Sequence, residues 1–261
     1  MADSSAKTIS VGITKGGSGK STVSSILCHL LSKKYKVLAV DADGQGNLTQ
    51  LLTGVEDIFE FTDNSVYNAI LDEDASNYIY QINKKLHILP GDENINTLGP
   101  YFHIELRDRK VLYQHTLQKA LEKVKHLYDF IIIDCPPARG EICIVSLTAS
   151  DYVLIPFETS AFCFSSLKSY LETVEKVQDH LNSDLKVIGI LRSMIDSRRK
   201  DNEFYSNLVA ETYPDYTFDT IIKRTAAVGR LPSFGFDDNP DLKAIIKQYQ
   251  PFYKELLDNV R

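Results

Sequence analysis

Residues 15–22 read Lys-Gly-Gly-Ser-Gly-Lys-Ser-Thr, between a short apolar run and an amphipathic helical pattern. A strand, a glycine-rich turn and a helix in that order make a phosphate-binding loop, which restricts the chain to few folds. Gly16, Gly17 and Gly19 let the backbone curl so that several N–H groups, Ser18 among them, point at one anion. The helix starting near Lys20 adds its positive end. Lys20 reaches the β- and γ-phosphates, and Ser21, followed by Thr22, offers a hydroxyl to Mg²⁺. The expected cofactors are therefore ATP and Mg²⁺. The common pattern G-x-x-x-x-G-K-[ST] is broken at one place, because its first glycine falls on Thr14 and a second lysine, Lys15, enters instead.

The rest of the chain repeats the alternation. Apolar runs at 8–13, 37–41, 86–89, 130–134, 153–156, 187–191 and 217–222 read as strands. Helical patterns fill 21–34, 111–127, 165–181, 202–213 and 242–259, the last interrupted by Pro251. Continuous apolar strands separated by helices predict a doubly wound α/β fold, a mainly parallel sheet covered on both faces. With 261 residues and no Gly/Ser/Pro-rich linker, one ATPase domain over 1–261 is expected.

Composition narrows the function. The net charge of −6 argues against a wholesale basic nucleic-acid binder but leaves room for a local basic patch. Cys28, Cys135, Cys143 and Cys163 form no CxxC pair, so buried reduced thiols are expected. Residues 1–10 lack the apolar centre of an export signal, and no apolar run approaches the ~20 residues of a membrane span. A cytoplasmic location and no membrane partner are expected. Between Lys36 and Lys84 there is no basic residue, while Glu56, Asp57, Glu60, Asp63, Asp72, Glu73 and Asp74 accumulate. This is a solvated acidic surface, one that repels DNA or one that receives a basic partner.

Two further segments end strands in acids. The second strand runs into Asp41-Ala-Asp43-Gly44-Gln45-Gly46-Asn47, at the sheet edge where open α/β sheets bind ligands. The strand at 130–134 ends in Asp134-Cys-Pro-Pro, an arrangement that holds Mg²⁺ directly or through water.

Together these segments resemble the ParA/MinD group of P-loop ATPases with a deviant Walker A motif, and most closely its ParA family of DNA-partitioning ATPases. Lys15 with Lys20 matches the group's two-lysine loop. The segment from Asp41 resembles D-x-D-P-Q-G-N, with Gly44 in place of the proline, and Asp134-Cys-Pro-Pro resembles D-x-P-P. Residues 190–200 resemble L-L-T-M-x-D-x-R, and 220–233 resemble a segment with I-P-R-N that ends in a P-S-x-G turn. The resemblance implies that Lys15 reaches a partner subunit's nucleotide across an ATP-bound homodimer. It also implies that Asp43 orients the attacking water and contacts the metal shell, alongside Ser21 and Asp134. Met194, Lys223 and Thr225 fall in the neighbourhood that holds adenine. Arg139 departs from the usual small follow-on residue and has no assigned role.

The resemblance further implies nonspecific double-stranded DNA as one partner and a centromere-binding protein of ParB type, whose N-terminal arm stimulates hydrolysis, as another. A bacterial, nucleoid-associated protein is the corresponding location. Arg192, Arg198, Arg199, Lys200, Lys223, Arg224 and Arg230 gather in two late segments. Of these, Arg198, Arg199, Lys200, Lys223, Arg224 and Arg230 are the candidate DNA contacts. Two alternatives share the fold: a MinD-like membrane-surface ATPase, which needs a basic amphipathic C-terminal helix, and a metal-cluster carrier, which needs cysteines placed to bridge two subunits.

Overall fold

A computed structural model describes residues 5–106, 112–195, 200–236 and 239–260. Its centre is an eight-stranded sheet in the order β3-β4-β2-β5-β1-β6-β7-β8. The strands are β1 (Lys7–Val11), β2 (Val37–Asp41), β3 (Tyr80–Gln81), β4 (Leu86–Leu89), β5 (Phe130–Asp134), β6 (Tyr152–Glu158), β7 (Lys186–Ile195) and β8 (Thr217–Lys223). Every pairing is parallel except the short antiparallel β3–β4 hairpin. The expected doubly wound α/β architecture is therefore the observed one.

The central strands are apolar throughout because both of their faces are covered. In β5, Ile132 packs with Ile9, Ala39 and Leu154 on one side, while Ile131 and Ile133 pack with Leu38 and Val40 on the other. The first side is closed by α1 (Lys20–Ser32), α2 (Asn47–Thr53) and the C-terminal helix, Leu242–Asn259. The second side is closed by α3 (Val66–Asp72), α4 (Thr116–Glu122), α5 (Glu141–Thr148), α6 (Ala161–His180) and α7 (Lys200–Thr212). The C-terminal helix is α8. Among the described residues no helix is long and apolar enough to cross a membrane.

Two expectations are corrected, and three helices carry no expectation at all. The helix expected over 111–127 is a seven-residue α4 flanked by 3₁₀ turns at Tyr113–His115 and Lys125–Leu127, and Val111 lies outside the described residues. Pro251 does not interrupt α8, because it sits on the exposed face while Ile245, Tyr249, Phe252 and Leu256 are buried. The carbonyl freed by the missing N–H is on the solvent side, where water satisfies it. The sequence offers no helical expectation for the seven-residue α2 and α3. Finally, α5 carries Cys143, Val145, Ser146, Leu147 and Thr148 in the core, so it has no polar face to reveal a helical period.

The parallel strands bring their carboxyl ends to one edge. Asp134 is in register with Val11 of β1 on one side and with Asp41 of β2 on the other. The loop after β1, the two acids and the turn after β5 therefore meet at the middle of the sheet.

Candidate nucleotide-binding site

The loop between β1 and α1 turns through Gly17 and Gly19, both left-handed at φ 73° and 83°. Side chains other than glycine are strained there, which is why the turn needs these residues. Gly19 caps α1, and its carbonyl accepts from Val23 N at 2.8 Å. The loop forms one wall of a cavity of about 690 Å³. Gly16, Gly17, Ser18, Gly19, Lys20, Ser21 and Thr22 all line it, as does Asp43.

Lys20 is only 7% exposed, and burial lowers its pKa against the pull of Asp134 and Asp43. Its ammonium donates a long bond of 3.3 Å to the Lys15 carbonyl. A desolvated cation with so little compensation favours an anion brought into the cavity. Lys15, by contrast, sits at the loop's outer side, and its ammonium donates to the Gly16 carbonyl at 2.8 Å.

Asp134 is fully buried, and burial pushes its carboxyl up, while the hydroxyls of Ser21 and Ser24 and the Lys20 charge pull it back. Ser24 donates to Oδ1 at 2.9 Å, and among the described residues Oδ2 has no hydrogen-bond partner. A buried oxygen with free lone pairs beside a serine hydroxyl fits a Mg²⁺ shell. Among the described residues no three His, Cys, Asp or Glu gather into a metal cage. Mg²⁺ is usually held by one or two carboxylates plus phosphates and water. Ser21 and Asp134 would hold the ion, with Asp43 facing its shell.

The two acids after β2 have different surroundings. Asp41 is fully buried, and its Oδ2 accepts from the backbone N and hydroxyl of Thr49 at 2.8 and 2.7 Å. The same hydroxyl accepts from Gly91 N at 2.9 Å. Asp41 thus ties the first turn of α2 and the loop after β4 to the sheet. Asp43 lines the cavity, and its Oδ1 accepts from Gln45 N at 3.1 Å. Of the two, Asp43 is the acid that faces the cavity. At Gly44, where the resembling family has proline, a Cβ would come within 2.4 Å of the Asn96 amide, so the substitution leaves room for that side chain.

Burial, then the Asp134 charge, raises the Asp41 pKa to about 7. A carboxyl whose pKa rises on folding stabilises the fold most at low pH, and that contribution is lost as pH rises through the folded value. The Asp41 contribution to the stability of the ligand-free protein is therefore expected to fall between about pH 4 and 7. Asp41→Asn should flatten that slope in denaturant titrations, since its amide oxygen still accepts from Thr49. Asp41→Ala leaves Thr49 unpaired and should cost about 1–3 kcal/mol at low pH. An unchanged slope in the asparagine variant would contradict this assignment.

The far side of the cavity has its own lining. Ser233 and Gly235 line it, and Lys223 and Thr225 do not. Thr225 caps the turn Ala226–Gly229 by accepting from Val228 N at 3.3 Å, and Lys223 is exposed. The Met194 side chain lies outside the described residues. Residues that sequence reasoning passed over also line the cavity, including Gln50, Leu51, Val55 and Pro137. The Gly46 helix start was the available signal for the α2 wall. Only the P-S-x-G likeness pointed toward Ser233 and Gly235.

The late basic residues differ among themselves. Arg192 is half-buried and donates to the Phe218 and Asp219 carbonyls at 3.0 and 3.2 Å, so it ties β7 to β8 and leaves the surface patch. Arg224 lies 3.6 Å from Glu158, and Arg230 is held by Asp241 at 2.5 Å. Arg198, Arg199 and the Lys200 side chain lie outside the described residues. Arg139 is exposed on the loop after β5, and all four cysteines are buried and free.

Comparison with known proteins places this geometry. The AAA domain family matches residues 6–187. The sporulation initiation inhibitor protein Soj of Bacillus subtilis is 37% identical over 88% of this chain and 88% of its own length. The chromosome partitioning protein ParA of Myxococcus xanthus is 30% identical over 87% of this chain and 78% of its own. Among solved structures, cobyrinic acid a,c-diamide synthase of Mycobacterium smegmatis, with a bound ATP analogue and magnesium, superimposes with a TM-score of 0.76 at 27% identity. That alignment covers 94% of this chain and 96% of the other.

Proposed function

The chain belongs to the ParA family of partitioning ATPases, and from that premise we propose that it is a DNA-segregation ATPase whose ATP-bound homodimer coats nonspecific double-stranded DNA. Hydrolysis, stimulated by a centromere-binding partner of ParB type, returns it to a monomer that leaves the DNA. The single observation that carries the nucleotide part is the cavity walled by the glycine turn, Asp43 and Lys20, a desolvated lysine whose ammonium makes a long bond to the Lys15 carbonyl.

In this reading the loop N–H groups and Lys20 bind and neutralise the phosphates. Mg²⁺, when bound, polarises the phosphoryl oxygens. Ser21 and Asp134 hold it, and Asp43 orients the attacking water. Lys15, on the exposed side of the loop, is placed to serve a second subunit. Met194, Lys223 and Thr225 bear on the adenine only if the segment after β8 closes over the cavity. Arg198, Arg199, Lys200 and Lys223 contact phosphates, with Arg224 and Arg230 exchanging Glu158 and Asp241 for DNA. The location is the bacterial cytoplasm, on the nucleoid.

Pelleting separates this from the membrane reading. With ATP and Mg²⁺ the protein should sediment with nonspecific double-stranded DNA and stay in the supernatant with anionic phospholipid vesicles. The apolar residues of α8 that a vesicle would need, Ile245, Tyr249, Phe252 and Leu256, are already in the core. Vesicle binding without DNA binding would reverse the assignment.

A further inference from the structure

The sheet edge at β3 carries a second concavity, of about 320 Å³. Val55, Glu60, Phe61, Asn64, Tyr78 and Tyr80 contribute to its walls. The Phe61 and Tyr80 rings meet edge-on at 5.5 Å, and Tyr80 and the nearby Phe59 remain 46% and 60% exposed. β3 pairs with β4 on one side only, so its outer side has no strand neighbour in the sheet. Such an edge, flanked by aromatic pockets, is a template for an added extended segment.

Charge selects the occupant. The groove lies in the stretch from 37 to 83 that has no Lys or Arg. Glu60 stands in its wall, Asp57 is fixed at the start of the adjoining turn by accepting from Phe59 N at 3.0 Å, and Asp72 accepts the Tyr78 hydroxyl. A second copy of this chain would set acid against acid, which opposes pairing. A basic segment meets complementary charge.

The groove is also connected to the nucleotide cavity. Val55 lines both. Gln50, in the nucleotide cavity wall, donates to the Glu56 carbonyl at 2.7 Å, and Ile58 packs so close to Gly46 that a Cβ there would come within 2.7 Å. We propose that the groove beside β3 docks an extended basic segment of a partner protein, with alternate apolar side chains in the aromatic pocket, and that residues 54–61 transmit its arrival to the nucleotide cavity. Docking stands without the nucleotide assignment, whereas transmission rests on it.

The test uses the full chain without nucleotide and a labelled short peptide of alternating Arg and Val, with alternating Glu and Val as control, followed by fluorescence anisotropy. The basic peptide should bind and the acidic one should not. Glu60→Lys with Tyr80→Ser should weaken binding at least about tenfold, while Glu203→Lys, an equal charge change on exposed α7, should alter it by less than about twofold. Hydrogen exchange should slow at 55–64 and 78–82 on peptide addition. No preference for the basic peptide, or equal loss in the Glu203 variant, would overturn docking. Release of a fluorescent ADP from the same protein should change rate when the peptide is added. An unchanged rate with intact ADP binding would overturn transmission, and absent ADP binding would count against the nucleotide assignment instead.

Discussion

Asp43→Ala should bind MgATP nearly as well as the parent and lose most of its turnover. Asp43 lines the cavity, and its recorded hydrogen bond is to the local Gln45 N–H, so its removal deletes no contact that holds the loop around the phosphates. What it removes is the group proposed to orient water. Misplacing a nucleophile typically costs about 10²-fold or more in rate. Single-turnover hydrolysis beside a nucleotide titration separates the two effects. Parental turnover would move the role away from Asp43. Asp41 is poorly suited to inherit it, because Thr49 occupies its carboxylate and burial raises its pKa.

The two lysines should separate just as sharply. Lys20→Ala removes a desolvated charge that has only a long bond to the Lys15 carbonyl, so the ligand-free protein should melt no lower than the parent. Its stabilisation by MgATP should vanish. A hydrogen bond to a charged group is worth about 1.5–3 kcal/mol, which corresponds to roughly 10- to 150-fold in affinity, and further Coulomb attraction to the phosphates is lost with it. Lys15→Ala should keep nucleotide affinity, since the Lys15 ammonium reaches only the Gly16 carbonyl on the outer side of the loop. It should fail to form the ATP dimer in sedimentation velocity. A normal ATP dimer from the Lys15 variant would contradict the cross-subunit role.

The parts of this site that were legible in sequence share a physical reason. The phosphate loop needs left-handed glycines at fixed offsets, and β2, β4 and β5 are apolar because both faces are covered. Their ends, Asp41 and Asp134, follow from where apolar character stops. What escaped depends on contacts between distant segments. Thr49, eight positions on and inside α2, completes Asp41, and Ser24 completes Asp134 from another element altogether. Ser233 and Gly235 close a cavity whose opposite wall is more than 170 positions earlier in the chain. α5 shows no helical period because its polar residues Ser146 and Thr148 are buried along with its apolar ones, and Pro251 misleads because its harm depends on which face of the helix it occupies. The basic patch shows the same limit. Composition cannot tell Arg192, half-buried on β7 and tied to β8, from Lys223, open to solvent.

The central claim is that nucleotide state decides DNA binding. The most direct measurement is the affinity for nonspecific double-stranded DNA in ADP, in ATP and in a slowly hydrolysed ATP analogue, repeated from 50 to 200 mM salt. A monomer of net charge −6 offers few phosphate contacts, and an ATP dimer doubles them on one face. With roughly 4–6 contacts, each steepening log K against log salt by about 0.9, the dimer should lose about two to three decades of affinity over that range. The account predicts tight binding in ATP and the analogue, slight binding in ADP, and a sharp loss in Arg198→Ala with nucleotide occupancy unchanged. Equal affinity in ADP and ATP, or a flat salt response, would contradict it.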